Sequence, residues 1–269
     1  ESNRAKALIA LADKLPPELL PEALAAAKLI QSESNRAKAL IALADKLPPE
    51  LLPEALAAAK LIQDEFSRAK ALIALADKLL PELLPEALAT AKLIQDEYYR
   101  ALALTALADK LPPELLPEAL AAAKLIQDEF SRAKALTALA DKLPPELLPE
   151  ALAAAKLIQS ESNRALALIA LADKLPPELL PEALAAAKLI QDEFSRAKAL
   201  TALAMPLSEM PTTLLFTRWQ QTLHELSLRT RQDLLSDIEK LVPVIFALGG
   251  QLAIAEVNCA IGNVTRWWH

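Results

Sequence analysis

Glu1-Ser2-Asn3-Arg4 returns as Glu33-Ser34-Asn35-Arg36, and the same register returns at Glu65, Glu97, Glu129, Glu161 and Glu193. The period is 32 residues and never slips. Such a repeat constrains the fold more than any single motif, because each copy must bury its apolar surface against the next. Six full copies cover residues 1–192, and a seventh stops after Ala204.

Each copy reads as two helices. In the first copy, Ser2–Leu15 is rich in Ala and Leu and contains no helix breaker. Pro16-Pro17 ends it, because a residue before proline avoids helical angles and proline has no N–H. Pro17–Leu20 reads as a short turn. Pro21 suits the start of a second helix to Gln31, with Glu22 beside the positive end of its dipole. Ser32, or Asp64 in the next copy, is placed to cap the following helix. Helices this short do not persist alone, and both are apolar over more than one face. Stacked neighbours must cover them. The expected fold is all-α: a right-handed α-solenoid of helix hairpins over 1–204, closed by a C-terminal helical cap over 205–269.

Composition removes several functions. Residues 1–204 contain no Gly, Cys, His, Trp or Val. No Gly-rich phosphate loop and no His or Cys metal site or nucleophile can exist there. In the cap, Cys259 lies in an apolar helical stretch and reads as buried packing rather than as a nucleophile served by His224. Asp233, Asp237 and Glu239 read as solvated. No enzyme, metal or cofactor is expected. Charged residues break up the apolar runs, so no membrane span is expected. A single Cys forms no intrachain disulfide, which points to a reducing, cytoplasmic setting. The net charge of −6 argues against a nucleic-acid partner.

The string Pro53-Glu54-Ala55-Leu56, then Asp64-Glu65-Phe66-Ser67-Arg68-Ala69, then Ala71-Leu72 and Ala74-Leu75 resembles the short HEAT-like helical repeat. The tetratricopeptide repeat is the runner-up, but its Trp, Gly and Tyr signature positions are missing. The resemblance implies that Arg4, Arg36, Arg68, Arg100, Arg132, Arg164 and Arg196 form a ladder that pairs with acids in the adjacent turn. Residues 234–268, with Leu241-Val242-Pro243, Gly249-Gly250 and Arg266-Trp267-Trp268, resemble the C-terminal end of bacterial, notably cyanobacterial, STAND-type signalling NTPases. That resemblance implies a sensor array within a larger protein. Glu1 opens in mid-pattern without a capping helix, so upstream sequence is expected, and so is end-to-end self-association through that end.

Where the copies differ, they differ in few columns. Repeat position 2 is Ser, Phe or Tyr, and position 3 is Asn, Ser or Tyr. Position 6 is Lys or Leu, and position 9 is Ile or Thr. Positions 2, 6 and 9 share one face of the first helix, with position 3 at its edge. That face should meet water, yet it carries rings and apolar side chains. Phe66, Ser67, Tyr98, Tyr99, Leu102, Thr105, Phe130, Ser131, Lys134 and Thr137 are therefore the expected binding stripe for a protein or peptide. Drift at exposed sites is the competing reading, with the chain then a spacer or scaffold. Drift would also touch Glu18, Glu22 and Lys28, and these never change in the full copies. A one-repeat-per-base nucleic-acid reader is a third reading, disfavoured by charge.

Overall fold

The computed structural model describes residues 2–267, and side chains as far as Asn263; every regular element among them is helical. The chain divides into two compact units, residues 1–143 and 144–269.

The first unit holds the hairpins α1 (Ser2–Leu11) with α2 (Leu20–Lys28), α3 (Glu33–Ala44) with α4 (Leu52–Lys60), α5 (Glu65–Ala76) with α6 (Leu84–Lys92), α7 (Glu97–Ala108) with α8 (Leu116–Lys124), and then α9 (Glu129–Ala140). First helices pack directly on one another, α3 on α5, α5 on α7 and α7 on α9. Each second helix leans on the first helix that follows it. This is the stacking of an all-α solenoid. Its core is the expected Ala and Leu layer: Ala39, Leu40, Leu43, Leu56 and Ile62 are all buried. Leu11 is 49% exposed where its copy Leu43 is fully buried, because α1 is not covered by a preceding hairpin.

First helices are shorter than the expected run to Leu15 and its copies. They end at Ala44, Ala76 and Ala108, and the chain then turns so that Leu47, Leu79 and Leu111 tuck back into the core. The prolines that follow force this early exit: Pro48 is extended, at φ −72° and ψ 159°. The expected turn between the helices is a single 3-10 turn, Pro49–Leu51, that runs straight into α4.

The second unit holds α10 (Leu148–Lys156), α11 (Glu161–Ala172), α12 (Leu180–Lys188), α13 (Glu193–Ser208), α14 (Thr212–Ser227), α15 (Arg231–Lys240) and α16 (Val242–Trp267). The first helix of the seventh copy does not stop at Ala204. It continues through Pro206 to Ser208, so the expected array–cap boundary falls inside α13. Thr230 caps α15 by accepting the Asp233 N–H, as its sequence suggests. Pro243 does not kink a helix but sits in the first turn of α16, where its missing N–H costs nothing. Gly249 and Gly250 break α16 into two arms; Gly250, at φ 61°, adopts the left-handed conformation that favours glycine.

The cap overturns two expectations. Asp237 is not solvated but fully buried, because α15 lies on α13 and brings it to Arg196. Cys259 is exposed rather than packed, because the last arm of α16 turns Ala253, Ile254, Val257 and Ile261 partly inward and leaves Cys259 on the other side. Val242–Asn263 is long and apolar enough to cross a membrane by length and composition alone, its most apolar 18-residue stretch averaging a hydropathy of 1.7, but the break at Gly249 and Gly250 divides it into two shorter arms. Trp219 is buried, whereas Phe216 is half exposed. The side chains of Arg266, Trp267 and Trp268 lie outside the described residues.

Candidate functional site

The repeats are tied through the first turn of each first helix. Arg36 donates from Nη1 to the Ile30 carbonyl at 3.1 Å, and Arg68 donates to the Ile62 carbonyl at 3.0 Å. Arg100, Arg132, Arg164 and Arg196 make the same bond to Ile94, Ile126, Ile158 and Ile190. Each guanidinium thus sits on the carbonyl-rich end of the preceding second helix, where the helix dipole favours a cation. The expected acid partner is secondary: Glu33 lies 3.5 Å from Arg36, and Glu161 lies 4.0 Å from Arg164.

The glutamate has a separate task. Glu33 accepts the backbone N–H groups of Gln63 at 2.9 Å and Asp64 at 2.7 Å, one repeat ahead. Glu65, Glu97 and Glu161 repeat the pattern at Gln95–Asp96, Gln127–Asp128 and Gln191–Asp192. The arginine reaches back and the glutamate reaches forward from the same turn. The bonds from Gln63 and Asp64 hold the Glu33 carboxyl below the usual carboxylate range, and those from Gln191 and Asp192 do the same for Glu161. Arg4 is exposed, so the ladder begins at Arg36.

Arg196 is the exception in the ladder. It is fully buried, and it donates from Nε to both oxygens of Asp237 at 2.9 Å and from Nη2 to Asp233 at 2.9 Å. Burial pushes the Asp237 carboxyl up, while Arg196 pulls it down. Burial also opposes the Arg196 charge, but the two aspartates outweigh it.

Outer surfaces of the two helix layers differ. On the second helices, Lys28 meets Glu54 at 2.6 Å, Lys60 meets Glu86 at 3.2 Å and Lys92 meets Glu118 at 2.5 Å. Beside these rungs lies a row of exposed leucines, Leu29, Leu61, Leu93 and Leu125. A groove of about 180 Å³ runs between α6 and α8, lined by Lys92, Arg100, Glu118, Ala121, Ala122 and Leu125. The same lining recurs one end along, at Lys28, Arg36, Ala58 and Leu61. The Lys, Glu and Leu of this face recur in every full copy, with Thr90 standing where Ala58 and Ala122 line the groove.

On the first helices, the expected stripe is only partly a surface. Phe66, Tyr98 and Phe130 are 41%, 48% and 50% exposed. Tyr99, Leu102 and Lys134 are half-buried. The Phe66 and Tyr99 rings stand 5.2 Å apart, tilted by 57°, and Tyr98 meets Tyr99 edge-on at 5.4 Å. The Lys70 ammonium lies 4.1 Å from the centre of the Phe66 ring. One continuous ring cluster therefore joins α5 to α7, with Phe130 exposed at the same position on α9.

Four expected stripe residues do not belong to the open surface. Ser67 and Ser131 are buried, and their backbone N–H groups donate to the capping carboxylates Asp64 and Asp128 at 2.9 and 2.8 Å. Position 3 lies in the closely packed first turn, where a serine fits and a tyrosine does not. Tyr99 is hence turned outward onto Phe66. Thr105 and Thr137 are half-buried, and their hydroxyls are buried without a hydrogen-bond partner. The Ser67 hydroxyl, and then its N–H, hold Asp64 below the usual carboxylate range. The columns vary together: Asp at the cap goes with Ser or Tyr at position 3, and Ser at the cap goes with Asn. Ser32 and Ser160 make no side-chain cap bond.

Among the described residues, no group of three or more His, Cys, Asp or Glu side chains could hold a metal ion. Compared with family models, curated proteins and solved structures, the chain matches none.

Proposed function

We propose that this chain is a non-catalytic recognition array that binds a protein or peptide through the outer face of α5, α7 and α9. The single observation that carries the reading is the exposed ring cluster of Phe66, Tyr98 and Tyr99, continued by Phe130. Half-exposed aromatic rings contribute apolar area and offer polar edges to a partner, which is why such rings concentrate in recognition surfaces. Leu102 and Lys134 flank the rings. The second-helix face offers every full repeat the same leucine, so a ligand there would itself have to be periodic.

The finer assignment rests on resemblance. The PEAL helix followed by an acidic turn and the Arg-Ala helix favours a HEAT-like array. Residues 234–268 favour the sensor end of a larger bacterial signalling or defence protein of the STAND type. An exposed free thiol at Cys259 fits a reducing, cytoplasmic setting. The uncovered face of α1 supports end-to-end association of copies; light scattering across concentrations tests it, and a strict monomer refutes it.

A second reading, a spacer without a ligand, is favoured by one observation. The invariant Glu54 and Lys28 are held by a rung, so their constancy needs no binding function elsewhere. Alanine substitution at Tyr98, Tyr99 and Phe130 separates the two. Loss of a captured partner with an unchanged melting profile supports recognition; unchanged capture supports the spacer.

A further inference from the structure

We infer that the ligand of this stripe is a proline-rich segment in the polyproline II conformation, running across α5, α7 and α9 with one proline on each exposed ring, Phe66, Tyr98 and Phe130. The inference rests on the recognition reading above and names its ligand class.

Spacing comes first. The three rings occupy the same position in three successive first helices, and those helices pack directly on one another. Neighbouring packed helices lie about 8–10 Å apart. A polyproline II chain repeats every three residues and rises about 3.1 Å per residue, so one edge returns every ~9.3 Å. Residues i, i+3 and i+6 of such a chain would meet the rings in turn. A β-strand covers a similar distance in three residues but then presents its opposite face.

Chemistry separates the remaining alternative, an amphipathic helix. The stripe mixes rings with donors: the Tyr98 and Tyr99 hydroxyls and the Lys70 and Lys134 ammonium groups. A helical ligand keeps its carbonyls in its own hydrogen bonds and wants an apolar groove. A polyproline II ligand has no internal hydrogen bonds, so its carbonyls are free to accept from those donors. Its rings lie flat on aromatic faces, and it is already ordered before binding. The tilt of 57° between Phe66 and Tyr99 and the edge-on pair of Tyr98 and Tyr99 give a corrugated ring surface, rather than one flat plate. Lys70 is held over Phe66.

The test titrates the whole chain into a fluorescently labelled twelve-residue peptide, (Pro-Pro-Ala)4, and reads anisotropy. Three comparison probes are a peptide of equal length with its prolines set four apart, an Ala/Leu amphipathic helix and a Gly/Ser chain. The expected result is saturable binding of (Pro-Pro-Ala)4, weakened about tenfold by Tyr98→Ser or Phe130→Ser. Lys60→Ala, on the second-helix face, leaves it unchanged. The four-residue spacing should bind about tenfold more weakly than the three-residue spacing. Equal binding of the two spacings, or no saturable binding of (Pro-Pro-Ala)4, overturns the inference. Ring-dependent binding of the amphipathic helix alone overturns it too, but keeps the recognition surface. Circular dichroism of each variant confirms that the array is folded.

Discussion

The outer faces of the two helix layers have opposite histories. The second-helix face carries Lys–Glu rungs from Lys28, Lys60, Lys92 and Lys156 and does not vary at those positions. The first-helix face varies at positions 2 and 6, where no rung joins one repeat to the next, and stays constant at Asp45 and Asp77, which lie 4.0 and 3.9 Å from Lys78 and Lys110. Inter-repeat ties therefore explain why the surface does not vary at the rung residues. They do not set what it varies to. An untethered, solvated position under drift has no reason to collect Phe66, Tyr98, Tyr99 and Phe130. The content of the stripe, rather than its location, is what supports binding.

The ties themselves give the largest expected effects. Asp237→Ala leaves Arg196 buried with one aspartate fewer and should cost about 3 kcal/mol in chemical denaturation. Arg100→Ala removes the bond to the Ile94 carbonyl and should cost about 2 kcal/mol, whereas Arg4→Ala, on an exposed arginine, should stay within about 0.5 kcal/mol. Equal losses at Arg4 and Arg100 would show that the ladder does not tie repeats.

Acid should loosen the same ties. The Glu33, Glu161, Asp64 and Asp192 carboxyls are all held below their ordinary values in the folded chain, Glu33 and Glu161 by backbone N–H groups and the two aspartates by serine hydroxyls and N–H groups. Their unfolded forms bind protons more readily, so their contribution is present above the ordinary carboxylate range. It is lost as pH falls through the lower folded values. Thermal melts should show stability falling below about pH 4.5. A flat profile there would contradict the forward reach of the glutamates.

Smaller effects sharpen the contrast between faces. Lys60→Ala breaks an exposed rung and should cost less than about 1 kcal/mol, and less still in high salt. Phe130→Ser should change stability by no more than about 0.5 kcal/mol, because its side chain stands half in water, and Tyr98→Ser by no more than about 1 kcal/mol, because it also loses the edge-on contact with Tyr99. A large loss at either would mean that the rings hold the array together rather than serve a partner.

The helix hairpins, the Ala and Leu core and the arginine row were legible because the chain compares itself copy by copy. The partner of each arginine was not. A backbone carbonyl one helix back has no sequence signature, so a nearby acid looked like the natural match. The same blindness hid the forward bonds of Glu33 to the Gln63 and Asp64 N–H groups. Helical-wheel geometry put Ser67 at the edge of the stripe, but the close approach of neighbouring first helices buries that edge. In the cap no second copy exists for comparison. The buried Asp237 and the exposed Cys259 depend on how single helices settle, which no periodicity records.

The most direct test sets Phe66, Tyr98, Tyr99 and Phe130 to Ser and Leu102 to Lys, leaving the buried Ser67 and Ser131 in place, and compares that array with the natural chain. Both are immobilised and used to capture partners, and each captured protein is then titrated back against the two arrays. The account predicts that the reset array melts like the natural one but binds the captured partner at least about tenfold more weakly. Equal binding by the two folded arrays would contradict it.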